Sequence, residues 1–226
     1  MKKSILHIPK LAAALLAVSL TVPAFAEERP SGWKTLFEEE GVLVSTRAEP
    51  GVDLPSMRGQ TTLNADLFHV LAILLDDARS TEWAKGADET QVLRSIDPRT
   101  QLIYAHSRQP WPVKDRDLVM KRTVQVLKPG QSYRVHLVCM PSERAEVDNV
   151  IRVKNCETVF ELNVVDGTHT RIDYRVQADP GGHIPTWMVR RASRSIPADT
   201  LRSLAKQIEL TRGRYAKAVA SWSRAI

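Results

Sequence analysis

Between residues 89 and 178 the chain reads as seven short alternating segments in succession, and a single long helical pattern follows them. Strand-like runs fall at about 89–96, 101–108, 117–127, 132–140, 150–153, 157–165 and 169–178, broken by Asp97-Pro98, Pro129-Gly130 and Asp166-Gly167. The last run ends in Asp179-Pro180-Gly181-Gly182. Beyond it Trp187, Met188, Ile196, Leu201, Leu204, Ile208, Tyr215 and Val219 recur at near-helical spacing. Pro185 sits where a first helical turn tolerates proline, and Pro197 where proline kinks a helix. Connections this short make neighbouring strands antiparallel, and the sheet's apolar face has one long element to bury itself against. The expectation is an α+β fold, a curved antiparallel sheet wrapped on a long C-terminal helix and enclosing a cavity.

Ahead of the meander, 41–46 and 56–63 read as a pair of strands separated by Pro50-Gly51 and Pro55. Asn64 is the expected cap of an apolar helix over 65–75, with Leu67, Val70, Leu71 and Leu74 on one stripe. A short helical turn is expected around Ser80 to Trp83. The first 26 residues are a separate matter. Lys2, Lys3 and Lys10 precede the apolar run from Leu11 to Leu20, which leads into Ala24-Phe25-Ala26. That is the pattern of a cleavable export signal, and the run is shorter than the ~20 residues a membrane span needs. With no internal repeat or linker, residues 27–226 are read as a single domain, exported to the periplasm or beyond.

The charge is unevenly spread. The chain carries +6 overall, and three of those charges leave with the leader, so the mature protein carries +3. From residue 183 onward there are nine Lys or Arg against Asp199 and Glu209, a net +7 on a slightly acidic body. The total is too mild to imply nucleic acid, but a basic helix suits transient contact with an anionic membrane surface. Cys139 and Cys156 lie in adjacent strands in a compartment that permits disulfides. A tight hairpin near Ala145 would leave Cys156 four residues out of register, so a disulfide and a pair of buried thiols both remain open.

Alternation assigns the faces of the sheet. Leu118, Met120, Arg122, Val124 and Val126 share the inner face of one strand. Leu102, Tyr104 and His106 are expected inward from the strand before it. Tyr133, Val135, Leu137 and Cys139 form the next inner row, followed by Phe160, Leu162 and Val164, then Ile172, Tyr174 and Val176. Arg122 is the anomaly. A buried guanidinium needs a partner, an anion or water, unless it snorkels out at the rim. Otherwise chemistry is sparse: there is no G-x-S-x-G, no phosphate-binding glycine loop and no H-E-x-x-H, and the histidines show no ligand spacing. Neither metal nor cofactor is expected.

Three segments, taken in order and spacing, resemble the START (StAR-related lipid transfer) domain. They are Trp111-Pro112-Val113-Lys114-Asp115-Arg116-Asp117-Leu118-Val119, Val150-Ile151-Arg152-Val153, and Asp179 to Trp187, with Glu82-Trp83 after the first helix. The resemblance spans roughly 31–215 and implies a helix-grip fold with a lipid cavity and a gating loop, here Trp111, Pro112 and Val113. It also implies that Arg122 is the inward arginine that pairs with an acidic residue in the family's sterol binders, and it places His106 at that partner's position. The family's phosphatidylcholine binders have an Arg and an Asp around the tryptophan of the helical turn, where this chain has Ser80 and Ala84. The expected function is that of a monomeric, non-enzymatic carrier of one hydrophobic ligand. Its expected cavity residues are Arg122, His106, Tyr104, Met120, Leu137, Phe160, Tyr174, Trp187 and Met188. The rival is a helix-grip enzyme reacting through Tyr104, His106 and Arg122; a sensor of small aromatic ligands is a third reading.

Overall fold

Among the described residues, alternating apolar side chains build ten strands, and helices Leu67–Leu75 and Thr186–Leu210 close over the sheet they form. The computed structural model describes residues 32–50, 54–182, 184–217 and 219, all within the unit Ser31–Ile226. The expected leader and its cleavage site lie outside the described residues. The strands are β1 (Lys34–Glu39), β2 (Val42–Arg47), β3 (Ser56–Leu63), β4 (Glu89–Asp97), β5 (Thr100–Ser107), β6 (Arg116–Lys128), β7 (Ser132–Cys139), β8 (Ile151–Arg152), β9 (Asn155–Val164) and β10 (Thr170–Asp179). Helix α1 is Leu67–Leu75 and helix α2 is Thr186–Leu210. The sheet order is β1-β2-β3-β10-β9-β7-β6-β5-β4, antiparallel throughout, while the two-residue β8 pairs parallel with β6. This is the α+β helix-grip arrangement.

Edge strand β1 has no counterpart in the alternation pattern. A bulge between Thr35 and Phe37 breaks its period, so Leu36 and Phe37 are both part-buried although adjacent. Helix α1 begins later than expected. Asp66, not Asn64, caps it, accepting from the His69 backbone N–H at 3.0 Å. Ala65 stays outside because its carbonyl accepts from the Thr170 hydroxyl at 2.9 Å, which ties that residue to β10. Helix α2 runs unbroken through Pro197, and Pro197 is seated against Gly59 of β3. A Cβ at Gly59 would lie 2.8 Å from Leu201 Cδ1 and 3.0 Å from Pro197 Cβ, so glycine is what lets the helix lie on the strand.

The core fills the space between the concave face and the helices. Val44, Val70, Tyr133, Leu162, Ile172, Leu201 and Leu204 are all fully buried. Each such leucine contributes about 1.5–3 kcal/mol relative to exposure. Cys139 and Cys156 form a disulfide, with a Cα–Cα distance of 5.1 Å. The expected register error is absent because β7 and β9 are not joined by a tight hairpin. The connection detours through β8, and the pair Val138↔Glu157 places Cys139 and Cys156 opposite one another.

Candidate functional site

Between the concave face and α2 lies a cavity of about 380 Å³. Its wall is mostly apolar. Met120, Leu137 and Phe160 contribute from the sheet, and Met188 and Ile196 from the helix. Tyr174 stacks on Phe160 with centroids 4.6 Å apart, and Trp83 meets Phe160 edge-on at 6.1 Å. Burial pushes the Tyr174 phenol up to about 12, against a weaker opposing pull from its hydrogen bond with Thr200, so it holds its proton at neutral pH.

Arg122 lines this cavity but is not free to meet a ligand's charge. Its Nη1 and Nη2 donate to the two carboxylate oxygens of Asp77, both at 2.7 Å, and Nη2 also donates to Gln101 Oε1. The Leu74 carbonyl accepts a further contact at 3.4 Å. Asp77 belongs to the 3-10 turn Asp77–Glu82. The same turn is held by Ser80 and Thr90, whose hydroxyls both donate to the Asp77 carbonyl at 3.0 Å.

Seven of the nine expected cavity residues line the cavity: Arg122, His106, Met120, Leu137, Phe160, Tyr174 and Met188. Tyr104 does not. The β5–β6 ladder sets Gln101 opposite Arg122, Ile103 opposite Met120 and Ala105 opposite Leu118. The odd-numbered residues of β5 therefore face inward, and Leu102, Tyr104 and His106 face the other way. The sequence is ambiguous here because both faces are apolar. Leu102, Tyr104 and Val119 form a small second core on the outer side, where Arg144 lies 3.8 Å over the Tyr104 ring. His106, near the end of β5, lines the cavity even so. Its Nδ1 is 2.8 Å from Asp88 and its Nε2 3.6 Å from Asp115. It pairs with Asp117 in the ladder, five positions from Gln101, the residue opposite Arg122, and the side chains that Arg122 meets are those of Asp77 and Gln101. Tyr104, His106 and Arg122 do not converge. Trp187 is also corrected: it is 60% exposed at the start of α2. In the loop between β5 and β6, Trp111 is 92% exposed.

Residues that periodicity alone does not single out hold this architecture together. Arg152 and Asp117 form an ion pair with side chains 1% and 0% exposed. Arg116, also buried, donates to the carbonyls of Lys114, Pro180 and Gly181. Gly181 and Gly182 adopt φ of +63° and +64°, conformations that favour glycine, and a Cβ on Gly182 would lie 2.9 Å from Ile151 Cδ1. The Arg-Asp, Ile-Arg and Pro-Gly-Gly segments are thus one connected cluster at one end of the cavity.

The START domain family model matches residues 22–212. An uncharacterised protein of Pseudomonas aeruginosa is 30% identical over 207 residues, covering 92% of this chain and 98% of that protein. The phosphatidylcholine transfer protein of Bos taurus is 25% identical over 180 residues, 78% of this chain and 84% of its own. The crystal structure of a StAR-related lipid transfer protein fragment from Xanthomonas axonopodis has a TM-score of 0.72 and 26% identity. It covers 79% of this chain and 99% of that one.

Proposed function

This chain belongs to the START domain family, and from that membership we propose that it is an exported carrier holding one hydrophobic ligand in the cavity between sheet and α2. The observation that carries the reading is an apolar cavity whose inner ion pair is already self-neutralised. A site of about 380 Å³ lies near the small end of the ~300–1,000 Å³ that ligand pockets span. A 16-carbon acyl chain leaving a bilayer loses about 13 kcal/mol at ~0.8 per CH₂, and such a wall offsets that loss. Ser80 and Ala84 beside Trp83 argue against inheriting the choline recognition of the family's phosphatidylcholine binders. The leader over 1–26 and the Cys139–Cys156 disulfide both support an oxidising, exported setting. Native mass spectrometry of protein from its own host tests the whole reading. The expected species begins at Glu27 and carries one hydrophobic molecule that is lost on denaturation. A chain retaining residues 1–26 would overturn export, and protein that is empty and takes up nothing from lipid vesicles would overturn the carrier role.

The same reading includes transient docking on anionic membrane. Trp111 and Trp187 present exposed indoles, and Arg190, Arg191 and Arg194 are exposed on the first half of α2. Arg202 is engaged by Glu39 and Glu40 at 3.0 and 2.6 Å and adds little. Each arginine near an anionic surface contributes about 1 kcal/mol. Co-sedimentation with anionic vesicles is expected to fall as salt rises, and to weaken when the three arginines become Gln. Equal binding to neutral vesicles at every salt concentration would remove the basic face from the mechanism.

A further inference from the structure

Among the described residues three arginines are 96% buried, and they differ in how their charge is balanced. Arg152 has Asp117, and Arg122 has Asp77. Arg116 has only carbonyl oxygens: Lys114, Pro180 at 3.4 Å and Gly181 at 3.2 Å. Among the described residues no carboxylate makes an ion pair with it. Asp115 acts on it through space, but the Asp115 carboxylate accepts the Gln109 backbone N–H at 2.8 Å and lies 3.6 Å from His106. Three of the guanidinium's five N–H groups are spent on those carbonyls, which leaves two.

This uncompensated charge sits in the cavity wall. Arg116 lines the cavity together with Ser107, Gln109 and Ile184, at the end where the loop carrying Trp111 meets the strap into α2. Met188 and Val189, from the first turn of α2, line it too, so the positive end of a 25-residue helix faces the same space. A buried charge normally keeps a counter-ion, because leaving water without one costs several kcal/mol. Burial already pulls the Arg116 guanidinium below its usual pKa.

We propose that Arg116 binds the anionic group, a carboxylate or a phosphate, of the cavity's ligand. The ligand is then a single-tailed amphiphile with a negative head at this end and its tail along Met120, Leu137 and Phe160. Arg122, balanced by Asp77, has no such role. This rests on the reading of the cavity as a hydrophobic binding site, and the test separates the two. Isothermal titration calorimetry of the mature chain at pH 8 compares dodecanoate, dodecanol and inorganic phosphate. Dodecanoate is expected to bind about ten- to a hundredfold more tightly than dodecanol, the range of a charge-assisted contact, and phosphate alone only weakly. Arg116→Gln brings the affinities for dodecanoate and dodecanol together, while Arg116→Lys keeps most of the preference. If Arg116→Gln does not fold, the wild-type ratio still decides. Equal affinities for dodecanoate and dodecanol overturn the anion site and leave the cavity reading standing. Binding of neither overturns the cavity reading. Phosphate binding as tightly as dodecanoate would assign the site to a free anion and overturn the amphiphile.

Discussion

Replacing Asp117 with alanine is expected to cost about 3–5 kcal/mol of stability, the range for breaking a buried ion pair by removing one partner. For a chain of this size that is a fall in melting temperature of roughly 6–20 °C, at ~2–4 °C per kcal/mol. The value is at the upper end of single substitutions because Asp117 is the carboxylate that Arg152 hydrogen-bonds. Its Nε and Nη2 donate to Asp117 at 2.7 and 2.8 Å. Its Nη1 donates to the carbonyls of Pro141 and Arg144, both at 2.8 Å, and Nη2 also reaches the Ala145 carbonyl at 3.1 Å. All five donors are committed, and the Asp117 hydrogen bonds hold the guanidinium pKa above its usual value. Without that carboxylate the guanidinium keeps only carbonyl hydrogen bonds and the more distant charge of Glu146. Thermal unfolding followed by circular dichroism measures the effect, and a loss under about 1 kcal/mol would mean that water or the 141–147 segment relaxes to replace Asp117. Asp117→Asn, which keeps the shape and one acceptor, should fall between.

This pair also explains what was legible in the sequence and what was not. The Arg-Asp entry to β6 and the Ile-Arg of β8 carry much of the family resemblance, and they do so because they form one buried contact between distant segments. Most strands were readable to within two residues because one face of each is buried and the other wet. Local period fails where that premise fails. In β5 both faces are covered, so Tyr104 is buried yet belongs to the outer core with Leu102 and Val119. In β1 a bulge puts two apolar neighbours on one surface. Register across a long connection is not local either, which is why the Cys139–Cys156 alignment needed the detour through β8. Asp77 is the instructive case for the site. Beside Asp76 at a helix end it reads as a solvated cap, and only the fold brings it to an arginine 45 residues away. The signal was on Arg122: an arginine on an apolar face needs a partner, an anion or water, and here the chain supplies the partner.

Arg122→Met is therefore expected to act on stability, not on ligand charge. It leaves the Asp77 carboxylate, 13% exposed, facing an apolar cavity without its partner, at a cost of about 3–5 kcal/mol. The bidentate geometry at 2.7 Å and the Gln101 contact are lost together. Removing both charges is a different experiment. Two ions that leave water lose several kcal/mol each, and a well-packed apolar pair of similar volume often matches or exceeds the ion pair it replaces. Arg122→Met combined with Asp77→Leu is accordingly expected to lie within about 1–2 kcal/mol of the parent, far above Arg122→Met alone. The Asp77 carbonyl, which anchors Ser80 and Thr90, is untouched by the side-chain change. Denaturant unfolding of the parent, both single variants and the double variant closes the cycle. A double variant as unstable as the summed singles would show that Arg122 and Asp77 stabilise the fold independently, through packing, and not as a pair. A double variant that regains stability identifies the pair as a neutral wall element in which each charge serves to balance the other.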